Sequence, residues 1–96
     1  MINPISITIA FAALEGLSAA SGRDPADRKE MIENSTWAVA YEGSLASIPS
    51  TPGIADELVA AAIAEGALYL VSGRYGTNIG DALLRFMSVN IVKSLI

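Results

Sequence analysis

The chain is 96 residues long, enough for one domain with its own core and too short for two. Six Lys and Arg face ten Asp and Glu for a net charge of −4, and 52% of the residues are hydrophobic against 17% charged. It has neither cysteine nor histidine, which excludes disulfides, thiolate chemistry, His-based acid–base catalysis and the common zinc sites.

A chain of this size buries only about 60–65% of its unfolded surface, so this hydrophobic fraction exceeds what one small core readily hides. A membrane would absorb the surplus, but a spanning helix needs ~20 nearly uninterrupted apolar residues. The apolar run at 4–14 stops at Glu15, that at 60–71 is interrupted by Glu65, and that at 82–96 by Arg85 and Lys93. No Lys or Arg precedes Arg23, so residues 2–14 lack the basic segment of an export signal. The chain reads as soluble, with its apolar excess pointing toward association.

The pattern predicts an all-α domain of four helices, at about 4–21, 25–47, 52–72 and 79–95. The first opens on Asn3–Pro4, a capping side chain followed by a proline whose φ already suits the first helical position. Ile5, Ile7, Ile9 and Phe11 alternate as a strand would. Ile7, Phe11, Leu14 and Leu17 nevertheless continue at helical spacing to a stop at Gly22.

Asp24–Pro25 repeats the device and predicts the second start. Arg23, Asp24, Asp27, Arg28, Lys29, Glu30 and Glu33 supply seven of the sixteen charges, so this half should be wet. Trp37, Val39, Tyr41 and Leu45 make the following half apolar. Gly43 is a point where the helix could bend, and Pro49 ends it. Residues 47–53 (SIPSTPG) are the clearest linker.

Thr51–Pro52 predicts the third start. Val59, Ile63, Gly66 and Leu70 form its apolar stripe, widened by Leu58, Ala61, Ala62 and Leu68, and Gly73 is its stop. Asn78 and Asp81 resemble a capping box for the fourth helix. That helix carries Leu83, Leu84, Phe86, Met87, Ile91, Val92 and Leu95, leaving Asp81, Arg85 and Ser88 as a narrow polar strip. A helix this apolar must be enclosed on most sides, by its own chain or by another subunit. Small residues at intervals of four (Ala12, Gly16 and Ala20; Ala62 and Gly66) suggest close helix approach.

Catalytic chemistry finds little to work with. Without His or Cys, a nucleophile would depend on Lys29, Lys93 or a carboxylate pair, and the pairs Asp27/Glu30 and Asp56/Glu57 lie at helix starts, where acids are expected for structural reasons. The chain reads as a non-enzyme with no cofactor or metal. Residues 73–79 contain G-x-x-G-x-x-I, similar to the phosphate-clamping loop of KH domains, with Gly73, Arg74, Tyr75 and Gly76 as the clamp. That fold needs flanking strands and a basic field. Neither is evident, so the bland reading is two helix punctuation marks and a turn, and nucleic acid is the least favoured partner.

What remains is contact. Arg74 and Tyr75 lie in the turn between two apolar helices, and Arg and Tyr are enriched at contact hot spots. Trp37 joins them, although a core position suits it better. Leu84, Phe86, Met87, Ile91 and Leu95 are the candidate contacts of the last helix. Asp56 and Glu57 represent an acidic middle: residues 34–73 carry Glu42, Asp56, Glu57 and Glu65 and no basic residue.

Residues 61–74 (AAIAEGALYLVSGR) resemble a stretch of small helical phage head–tail connector proteins, in which an alanine-rich helix ends in an aromatic–aliphatic pair and a Gly-Arg turn. A later apolar helix such as 82–93 also suits that layout, while residues 1–50 depart from it. The resemblance covers about a third of the chain and implies a ring-forming virion component that binds other structural proteins. The expected function is therefore a structural or assembly protein acting through protein contacts in a homo-oligomer or larger assembly, in the cytoplasm or a virion. The alternative is a small acidic binding module or inhibitor acting as a monomer.

Overall fold

A computed structural model describes residues 3–73 and 79–96. Four helices follow one another: α1 (Pro4–Ala20), α2 (Arg28–Ala46), α3 (Ile54–Ser72) and α4 (Ile79–Leu95). Among the described residues there is no strand.

The punctuation explains most boundaries. Asn3 caps α1, its Oδ1 accepting the Ile5 N–H at 2.9 Å, with Pro4 at the first helical position. The alternation of Ile5, Ile7 and Ile9 yields to this start. At the other end Gly22 adopts φ 78°, and the Arg23 and Gly22 N–H groups donate to the Ser18 and Ala19 carbonyls. These two bonds form a Schellman stop. Gly73 ends α3 in the same left-handed region at φ 69°.

Two starts fall later than the cap–proline pairs predict. Asp24 accepts the Ala26 N–H and closes a turn instead of opening a helix, and α2 waits for Asp27, whose carboxylate takes the Lys29 N–H. Likewise α3 begins after Gly53, not Thr51, with the Asp56 carboxylate accepting the Gly53 N–H. Gly43 does not interrupt α2.

α2 is the hub. It lies against α1 and α3, α1 lies against α4, and the approach of α3 to α4 is sparse. The floor of the molecule is aromatic on one side and alanine on the other. Trp37 and Tyr41, one turn apart on α2, are fully buried and stack at 4.8 Å. Phe86 meets the Tyr41 ring edge-on at 6.3 Å. Ala10, Ala13, Ala60, Ala61 and Ala64 surround this pair, joined by Leu14, Leu68 and Val89. Small side chains on α1 and α3 leave room for the two large rings.

The stripes on α3 and α4 are turned the other way from expectation. α3 packs inward through Ala60, Ala61, Ala64 and Leu68, while Val59, Ile63, Gly66 and Leu70 face outward. The small-residue series Ala12, Gly16, Ala20 and Ala62, Gly66 are exposed as well, and a side-chain carbon added at Gly16 or Gly66 would meet nothing within 4 Å. Close approach inside the chain is the work of the alanines on the opposite face.

Candidate interaction surface

α4 is built with its polar side in. Arg85, expected on a narrow wet strip, is 7% exposed, and Val89 beside it is fully buried. The Arg85 Nε donates to Glu65 Oε2 at 2.8 Å while its Nη2 donates to Glu65 Oε1, a two-pronged ion pair between α4 and α3. The same Glu65 Oε2 accepts the Trp37 indole N–H at 2.6 Å, so one carboxylate ties three helices together. A planar guanidinium matches both carboxylate oxygens, which makes such a pair specific in direction as well as strong.

Further along, Asn90 donates to the Tyr41 hydroxyl at 3.0 Å and to the Phe86 carbonyl at 2.8 Å. Lys93 donates to Glu42 at 2.8 Å, with its ammonium 5.6 Å from the Tyr41 ring centre. Burial pushes the Tyr41 phenol up to about 12, the Asn90 hydrogen bond opposing and the charges of Glu57 and Glu42 adding to the rise. α1 and α2 have their own buried contact: Ser18 donates to Glu30 at 2.6 Å and accepts from Asn34 at 3.0 Å, with Arg23 pairing to Glu30 at 3.3 Å. The charged first half of α2 is thus only partly wet, since Glu30, Glu33 and Asn34 are all buried.

With its polar groups engaged inside, α4 turns an apolar arc to solvent. Leu83, Leu84, Met87, Ile91 and Leu95 are exposed, from 46% at Leu83 to 80% at Leu95, and Ile79, Gly80 and Ser94 are the other exposed residues of the helix. α3 shows a comparable arc of Leu58, Val59, Ile63 and Leu70. The two arcs adjoin at a wedge of about 350 Å³ between α3 and α4, lined by Leu58, Ala62, Ile79, Leu83 and Phe86 with Glu65 among them. The arcs meet only at their edges, through Leu58 and Leu83, whereas Val59 and Ile63 line a separate groove with Ser44, Ser47 and Ile48. Scattered exposed apolar residues are ordinary on a protein surface, and grouped ones on two helices are less so.

The residues singled out from sequence fall into separate places. Leu84, Met87, Ile91 and Leu95 share the outward arc of α4. Phe86 points the other way, toward Tyr41. Trp37 is a core residue. Asp56 and Glu57 are half-buried at the start of α3, and Asp56 is occupied as a cap. Arg74 and Tyr75 lie outside the described residues. The outward residues of α3 escaped sequence reasoning because their stripe looks like a core stripe. Of the four acids in the middle of the chain, Glu42, Asp56 and Glu65 are each engaged within the molecule.

Among the described residues no three acidic side chains gather as a metal site would require, and no helix is long and apolar enough to cross a membrane. Comparisons with known protein families, with curated proteins and with solved structures find no match for this chain.

Proposed function

We propose that this chain is a non-enzymatic assembly component that works by protein–protein contact within an oligomer. The observation that carries this reading is the inverted α4, which spends its charged and polar side chains on the interior and leaves leucine, methionine and isoleucine outside. The resemblance of residues 61–74 to phage head–tail connectors extends the proposal to a ring-forming virion part.

Sedimentation velocity on the purified protein, together with its native size in an extract of its source, tests the proposal. Assembly predicts a particle larger than one chain in at least one of the two. A single-chain particle in both, at concentrations up to about millimolar for the purified protein, refutes it.

A further inference from the structure

We draw no further inference here: the strongest candidate, the wedge between α3 and α4 lined by Leu58, Leu83, Phe86 and Glu65, has its one carboxylate already engaged by Arg85 and Trp37, and nothing in the structure shows what covers its apolar lining.

Discussion

Removing one half of the Glu65–Arg85 pair should cost far more than removing the charge from both. Arg85 is 7% exposed and Glu65 also holds the Trp37 N–H, so either single change strands a charge inside the molecule. Breaking a buried pair this way costs about 3–5 kcal/mol. A domain of this size has a total stability of roughly 5–14 kcal/mol, at about 0.05–0.15 kcal/mol per residue. Glu65→Gln and Arg85→Leu are therefore each expected to remove a large part of the margin. With a urea dependence of about 2 kcal/mol per molar, each midpoint should fall by roughly 2 M. The double variant Glu65→Gln/Arg85→Leu leaves an amide oxygen for Trp37 and no buried cation, and should sit within about 1 kcal/mol of the wild type. Trp37 is the only tryptophan and touches the altered carboxylate, so its fluorescence follows both unfolding and the local change. Single variants costing less than about 1 kcal/mol, or a double variant as damaged as the two losses added, would refute the reasoning.

Other outcomes follow from particular contacts. The folded state holds the Tyr41 proton with a pKa near 12 against an ordinary 10. Its contribution is therefore complete below pH 10 and is lost as pH rises from 10 to about 12, on the order of 2–3 kcal/mol at most. Tyr41→Phe should flatten that alkaline decline in denaturation curves, at a cost of about 1 kcal/mol at neutral pH for the Asn90 hydrogen bond. Both carboxylate oxygens of Glu15 are buried without a hydrogen-bond partner. Glu15→Met should thus stabilise by on the order of 1 kcal/mol and raise the melting temperature by about 4–8 °C; a lower melting temperature counts against it. Asp27→Ala should cost about 1 kcal/mol as the loss of a helix cap. Asp24→Ala, which removes only a turn contact, should cost less, and equal losses by calorimetry would contradict the assigned start of α2.

The helices were legible in the sequence because their ends are governed locally. Asn3–Pro4, Gly22 and Gly73 act within a few residues of themselves, and each does what its chemistry predicts. Asp24–Pro25 and Thr51–Pro52 look like Asn3–Pro4, yet Asp27 caps α2 and Gly53, with Asp56 completing a capping box, opens α3, so a second start signal close by outcompetes each pair. The direction of the stripes was not legible. Periodicity reports that Val59, Ile63 and Leu70 share a face, not whether anything covers it, and the covered face of α3 is written in alanine, the weakest apolar signal. The Glu65–Arg85 pair was equally hidden, since the partners are twenty residues apart. Its trace was there: Glu65 is the lone charge in one apolar run, Arg85 is one of two in another, and the two have opposite sign.

Because Arg85, Asn90 and Lys93 each find one particular mate on the neighbouring helices, the angular setting and axial position of α4 are decided without help from its outer side chains. A substitution at Leu84 or Ile91 can then alter what the molecule adheres to without touching how it folds. On the proposed contact reading, selection on adhesion and selection on folding would act on opposite sides of one rod, so new binding habits could be acquired there at little risk to the fold.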